Sequence, residues 1–169
     1  VLDEKKYPFK IYTSHGIFIA SSWTERMLVF LEENKEITKN LTPKEYKLMT
    51  EQPKETESIK IFDQLEDVLK IEDIAIQKFF VPTLSGKTEL IATLKEFEGV
   101  SITTSGPLNI EVMDTNGNKA NGIQVMAEYF NIPIENTVAI GDYFNDVPML
   151  EVAGLSVAMG NADPTVKDL

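Results

Sequence analysis

Apolar and polar positions alternate along the first residues of the chain, with Phe9 and Ile11 and then Ile17 and Ile19 facing one way. Period-two alternation on both sides of Ser14-His15-Gly16 predicts a half-buried hairpin over residues 7–21. The spacing then lengthens. Met27, Phe30 and Leu31 fall at helical intervals, predicting a helix over 25–33 with Thr24 as its cap, and Thr42-Pro43-Lys44-Glu45 is a capping box that starts a second helix over 43–51. The polar span Lys54 to Glu57 ends that helix. A short helix near 62–70 and a strand over 74–81, stopped by Pro82, follow. Gly86 to Phe97 reads as a helix with Leu90, Leu94 and Phe97 on one face; strands over 100–104 and 108–113, broken at Ser105-Gly106-Pro107, complete the first part. Hairpins mixed with helices in this way form an α+β pattern.

The rhythm changes after Asp114. Turn chemistry at Thr115-Asn116-Gly117-Asn118 leads into a helix over 119–131, whose apolar face is Ile123, Met126, Ala127 and Phe130. A strand over 137–140 runs into Gly141-Asp142-Tyr143-Phe144-Asn145-Asp146, then a helix over 147–152 ended by Gly154, a strand over 155–159, and Asp163-Pro164 as the cap and first residue of another helix. Alternating strands and helices with short connections imply parallel strands joined by right-handed crossovers, which makes the chain as a whole an α/β protein. The change between the two parts falls near residues 108–118. Ligands in such sheets sit beyond the carboxyl ends of the strands, and Asp142 lies at that end.

Composition narrows the function. Of 169 residues 43% are hydrophobic, enough for real cores, and no apolar run is long enough for a membrane span. A formal charge of −11 with Arg26 as the one arginine argues against nucleic acid and against an anionic membrane surface as partners. The absence of cysteine removes disulfides and thiolate metal sites and agrees with a cytoplasmic location. Because the chain opens on Val1 and stops just after Asp163-Pro164 begins a helix, a fragment of a longer protein is expected.

Asp142, Asn145 and Asp146 are the strongest candidates for chemistry. Two carboxylates held close together repel, and a hard cation such as Mg²⁺ removes that cost, while the first turn of the following helix favours anions. The plainer role, that Asn145 or Asp146 caps helix 147–152, is compatible with a site. Lys119 stands at a helix start, where its charge opposes the helix dipole; pointed into the same cleft, its ammonium would neutralise a transferring phosphoryl group. His15, the one histidine, suits a turn, and Trp23, Tyr7, Phe9, Tyr12 and Phe18 suit a core.

These residues carry a resemblance. The run from Asn118 to Val166, N-K-A-N-G-I-Q-V-M followed by V-A-I-G-D-Y-F-N-D-V-P-M-L-E-V-A-G-L-S-V-A-M-G-N-A-D-P-T-V, resembles the C-terminal part of the Cof-like sugar-phosphatase group of the haloacid dehalogenase superfamily. The resemblance implies a Mg²⁺-dependent phosphomonoester hydrolase working through an aspartyl-phosphate on a small phosphorylated metabolite such as a sugar phosphate. It implies an α+β cap over residues 1–108, which selects substrate, and the C-terminal half of a Rossmann-like core over 109–169. Position by position, Lys119 would hold the phosphate and the nucleophile, Asp142 would bind Mg²⁺, Asn145 would contact phosphate, and Asp146 would support the metal.

The departure from that pattern is the nucleophile. No two aspartates stand two positions apart in this chain, so the family's Asp-x-Asp is missing, as are its Thr-Gly-Arg and Ser-Gly-Arg forms of the second motif. By resemblance the strand bearing the nucleophile lies beside the strand ending in Gly141-Asp142; without it Val138 and Ile140 stand at an open edge, which a missing N-terminal segment or self-association would cover. The chain taken alone is expected to be inactive. A non-catalytic Mg²⁺ or phosphate-ligand binding protein and a purely structural fragment are the alternatives.

Overall fold

The computed structural model describes residues 1–83, 87–106 and 108–169. The predicted helix start at Gly86 and the Pro107 of the strand break lie outside the described residues. Among the described residues there are two sheets. The first is built from β1 (Lys10–Thr13), β2 (Gly16–Ala20), β3 (Ile59–Phe62), β4 (Ile76–Pro82), β5 (Val100–Thr103) and β6 (Asn109–Asp114), in the order β3-β2-β1-β4-β6-β5. All its pairings are antiparallel except β2 with β3.

The hairpin closes as the alternation requires. Gly16 has φ +110°, a conformation that side chains resist, and the Thr13 hydroxyl donates to the Gly16 carbonyl at 2.8 Å. His15 is a turn residue with its ring against the Ser14 hydroxyl at 3.0 Å. Helix α1 (Trp23–Glu33) begins one residue before the expected cap at Thr24; its N-cap is Ser22, whose hydroxyl accepts from Arg26 Nε at 2.9 Å rather than capping a backbone amide. Helix α2 (Lys35–Thr38) is a single turn that the apolar spacing did not indicate. Helix α3 (Pro43–Thr50) has the predicted capping box, with Glu45 N donating to the Thr42 hydroxyl at 3.3 Å and Thr42 N donating to Glu45 Oε2 at 2.8 Å.

Strand β3 is the element the sequence pattern misses. Ile59–Phe62 is four residues long, so the brief alternation of Ile59-Lys60-Ile61 is easily passed over, and its parallel partner β2 lies 42 positions upstream in register. Consequently the helix expected near 62–70 shortens to α4 (Leu65–Leu69). Helix α5 (Lys87–Leu94) buries Leu90 and Leu94 but leaves Phe97, three residues beyond its end, half exposed.

The two faces of this sheet differ along its width. Ile11, Val81, Ile110 and Val112 point to one face and pack with Phe9, Phe18 and Phe62 against Val68 of α4 and Leu90 and Leu94 of α5. The opposite face is apolar only at the β2 end, where Ile19 meets Trp23, Met27, Phe30 and Leu31 of α1 and the Trp23 indole donates to Met49 O of α3 at 3.1 Å. Toward β4, β6 and β5 that face becomes mixed, presenting Lys78, Glu111, Ser101 and Thr103 beside Phe80 and Met113.

Because β6 is bonded to both β4 and β5, the first sheet runs through Asp114, and the change of sheet falls in residues 115–118. Beyond it stand α6 (Lys119–Tyr129), a 3-10 turn at Ile134–Asn136, β7 (Val138–Gly141), α7 (Val147–Val152), β8 (Leu155–Ala158) and α8 (Pro164–Lys167). Strands β7 and β8 pair in parallel, as the alternation of helix and strand requires. Their small core is Ala139, Leu150, Ala162 and Val166, joined by Ile123. Of the apolar face expected on α6, Ile123 and Ala127 pack inward, whereas Met126 and Phe130 are exposed, because a sheet of two strands is too narrow to cover the helix. Val138 and Ile140 of β7 are 58% and 60% exposed and share a face with Leu155 and Val157 of β8.

The asymmetry of burial yields a stability expectation. Ile110, 0% exposed on β6 in the core of the first sheet, should cost about 2–5 kcal/mol when truncated to Ala. Val125→Ala on the exposed side of α6 should change stability by less than about 0.5 kcal/mol. Urea unfolding of the two variants, followed by the fluorescence of Trp23, measures the difference.

Candidate active site

The site is built where β7 ends. Gly141 is its last residue, and the backbone there comes so close to Asp146 that a Cβ on Gly141 would stand 2.5 Å from the Asp146 Cβ. Only glycine leaves that room, and the room is filled by a buried carboxylate. Asp146 Oδ2 accepts from the backbone amides of Asp142 at 2.9 Å and Tyr143 at 3.4 Å. Its Oδ1 accepts from Lys119 Nζ.

Asp146 therefore occupies the N-cap position of α7 without capping it: its side chain makes no bond to the helix amides and turns back to the loop instead. Burial raises the carboxyl's proton affinity, but the Lys119 hydrogen bond and charge and the two backbone amides outweigh it and hold Asp146 below the usual carboxylate range. Both oxygens are thus engaged by protein donors. Lys119 is the first residue of α6, whose N-cap Asn118 accepts from Asn121 N at 3.0 Å, so the lysine's backbone is fixed by the cap while its ammonium is fixed by Asp146.

Asp142 is arranged differently. Its carbonyl accepts from Asp163 N at 2.9 Å, which ties the loop to the N-cap of α8, and its Oδ2 faces Asn161 Nδ2 at 3.4 Å. Among the described residues no protein donor is bonded to its Oδ1, so one oxygen of the pair is open to a cation. No group of three or more His, Cys, Asp or Glu side chains positioned for a metal exists among the described residues. Asp142 can offer one carboxylate, which suits an ion such as Mg²⁺ that takes one or two carboxylates and completes its shell with water and phosphate oxygens.

Lys119 and Asn145 line a cavity of about 450 Å³ between the two sheets. Its opposite wall comes from the first sheet and includes Lys78, Ser105 and Glu111, none of which the sequence marked as site residues, and Tyr12, which the sequence assigned to a core and which instead lines the cavity. A signal for Glu111 was available: a carboxylate between Ile110 and Val112, in the middle of an otherwise apolar strand, needs a partner if the strand is buried. So the structure unites Lys119 with Asp146, Asp142 with the same carboxylate through its amide, and Lys119 with Asn145 as lining residues of one cavity; Asp142 and Asp146 are not lining residues.

Comparison with known proteins gives a consistent picture. Residues 1–169 match the pattern of a family described as haloacid dehalogenase-like hydrolase. The chain is 40% identical over 82 residues to 5-amino-6-(5-phospho-D-ribitylamino)uracil phosphatase YcsE of Bacillus subtilis, covering 48% of this chain and 33% of that protein. It is 37% identical over 60 residues to a phosphoglycolate phosphatase of Methanothermobacter thermautotrophicus, 36% of this chain and 27% of that one. Among solved structures, a haloacid dehalogenase-like hydrolase from B. subtilis superimposes with a TM-score of 0.73 at 23% identity, covering 99% of this chain and 60% of the other. A subclass IIB sugar phosphatase of the same superfamily gives 0.67 at 21% identity, covering 99% and 54%. The fold is shared, and the matched region is a third or less of these curated relatives and about half to three-fifths of these structures.

Two outcomes follow from the Asp146 geometry. Its native proton affinity is depressed, so the stability it contributes is fully present above the unfolded value of about 3.9 and is lost as pH falls through the lower native value. The stability gap between the wild type and Asp146→Asn, read from urea unfolding, should hold steady above about pH 5 and close below about pH 4; a gap unchanged at pH 3 would contradict the assignment. Gly141→Ala, which drives a Cβ into Asp146, should destabilise by about 1–3 kcal/mol in the same assay.

Proposed function

The chain belongs to the haloacid dehalogenase-like hydrolase family, and from that membership we propose that it forms the substrate-selecting wall and the Lys119–Asp142 side of a Mg²⁺-dependent phosphomonoester hydrolase. The substrate class is a small phosphorylated metabolite such as a sugar phosphate; the two relatives named above act, by their names, on a phosphoribityl compound and on phosphoglycolate. The observation that carries the reading is the ammonium of Lys119, held by buried Asp146 at the wall of a cavity large enough for a small phosphate ester.

In this reading Lys119 donates to the phosphoryl oxygens with the ammonium hydrogens that Asp146 leaves free, and the Asn145 amide donates to them from the same wall. Asp146 fixes the direction of Lys119 and, through the Asp142 and Tyr143 amides, the shape of the loop; it acts as a positioning residue, with no oxygen spare for direct contact. Asp142 offers its open oxygen to Mg²⁺, which when bound neutralises charge on the phosphate. Attack on phosphorus to form an aspartyl-phosphate requires a carboxylate that these 169 residues do not present in an Asp-x-Asp pattern. The polypeptide alone is accordingly a binder without turnover, and the exposed Val138–Ile140 face is where a further core segment, or a second copy, would pack.

No described helix is long and apolar enough to cross a membrane. A cytoplasmic location is part of the proposal and rests on the absence of cysteine.

The purified chain should bind inorganic phosphate by calorimetry only when Mg²⁺ is present, and Asp142→Ala or Lys119→Met should weaken that binding by about tenfold or more. It should release no p-nitrophenol from p-nitrophenyl phosphate above background. Turnover that disappears in Asp142→Ala would show that the chain carries a complete site, and phosphate binding indifferent to both substitutions would sink the assignment of this cavity.

A further inference from the structure

The phosphate reading gives Lys119 and Asn145 a task and leaves the opposite wall of the cavity without one. Glu111 dominates that wall. It sits in β6 between Ile110 and Val112, whose side chains enter the core, and period-two geometry turns Glu111 the other way, into the cavity, where it is 5% exposed. A carboxylate so far from water needs partners. Lys78 Nζ, reaching across from β4, donates to Glu111 Oε1 at 3.0 Å, and Ser105 Oγ donates to the same oxygen at 2.9 Å. The Lys78 ammonium also lies 4.9 Å from the centre of the Tyr12 ring, which holds it on this wall.

Two consequences follow from both bonds landing on Oε1. The ammonium is matched by the carboxylate, so the wall facing Lys119 carries no net charge despite containing a lysine. Oε2, in turn, accepts no hydrogen bond among the described residues and is an acceptor available to whatever fills the cavity. The hydroxyls of Ser101 and Thr103 on β5 line the same wall.

We infer that Glu111 is a specificity-determining residue, selecting phosphate esters whose organic part is an uncharged polyol. It accepts a hydrogen bond from a hydroxyl remote from the phosphate and, by pairing Lys78, withholds the positive charge that a second anionic group would need. An alkyl ester displaces water from Oε2 without replacing its hydrogen bond, and a bisphosphate meets a carboxylate instead of a free cation. Lys78 is the positioning residue, since it fixes which oxygen is offered. The inference rests on the preceding reading only for the end of the cavity at which the phosphate lies.

Calorimetry on the chain with Mg²⁺ and four probes tests it: inorganic phosphate, sorbitol 6-phosphate, n-hexyl phosphate and fructose 1,6-bisphosphate. The wild type should bind the sorbitol ester about tenfold or more tighter than the hexyl ester and should favour the bisphosphate over neither. In Glu111→Gln the polyol preference should fall to about threefold or less, while the bisphosphate gains about tenfold because Lys78 loses its anion. Adding Lys78→Met to that variant should abolish the gain.

A gain of affinity is a readout that a merely damaged fold does not produce. A wild-type sorbitol-to-hexyl ratio below about threefold overturns the inference by itself, whether or not the variants fold, and so does an undiminished ratio in Glu111→Gln. Failure of inorganic phosphate to bind while the polyol preference persists counts against the Lys119 assignment and leaves Glu111 supported.

Discussion

The carboxylate of Asp146 joins segments that the chain keeps far apart. One oxygen receives the ammonium of Lys119, twenty-seven positions upstream at the start of α6, and the other receives the amides of the loop that leaves β7. With a buried anion at its centre, this arrangement has little freedom: moving α6, the β7 loop or α7 separately would strand a charge or an amide away from water. Gly141 is the steric condition for it, because any side chain there would occupy the space of the carboxylate. The direction of Lys119, the exposure of Asp142 and the place of Asn145 on the cavity wall all depend on this one cluster.

The second constraint is the uneven covering of the first sheet. Helices α4 and α5 cover one face throughout, but α1 and α3 cover the other only at the β2 end. Strands β4, β5 and β6 can therefore be polar on their open side, and the alternation that puts Ile110 and Val112 in the core puts Glu111 on the cavity. One strand thus serves stability with Ile110 and Val112 and, in the proposed role of Glu111, recognition with the residue between them. In the proposed function the two tasks of a phosphate-ester site, holding the phosphate and choosing what is attached to it, would fall on opposite walls, one from the start of α6 and the loop after β7 and the other from the first sheet.

The lesser unit shows the cost of a narrow sheet. Ala139, Leu150, Ala162 and Val166 form a core of four buried residues, while Val138, Ile140, Leu155 and Val157 line up exposed on the other face of β7 and β8. An apolar face of that kind is a surface for packing, whichever chain supplies the partner. On α6 the same shortage explains why Met126 and Phe130, at sound helical spacing, find nothing to pack against.

Much of this was legible in the linear order of residues, because the signals are local. Capping at Thr42, the turn at Gly16, helical spacing in α1 and α6, and the apolar strand ending in Gly141-Asp142 each depend on neighbours within a few positions, and each element stands where those neighbours put it. Asp142, Asn145 and Asp146 were recognisable as a set for the same reason, and it was the resemblance to the Cof-like group that linked Lys119 to them. Tertiary structure alone decided what each does with its side chain. Nothing local told that Asp146 turns away from its own helix to hold Lys119, that Ile59–Phe62 pairs in parallel with β2, or that Glu111 meets Lys78 and Ser105 across the sheet. Local propensity acts through a handful of adjacent dihedrals, whereas the partner of a buried charge is chosen by whichever donor the whole fold brings within hydrogen-bonding distance.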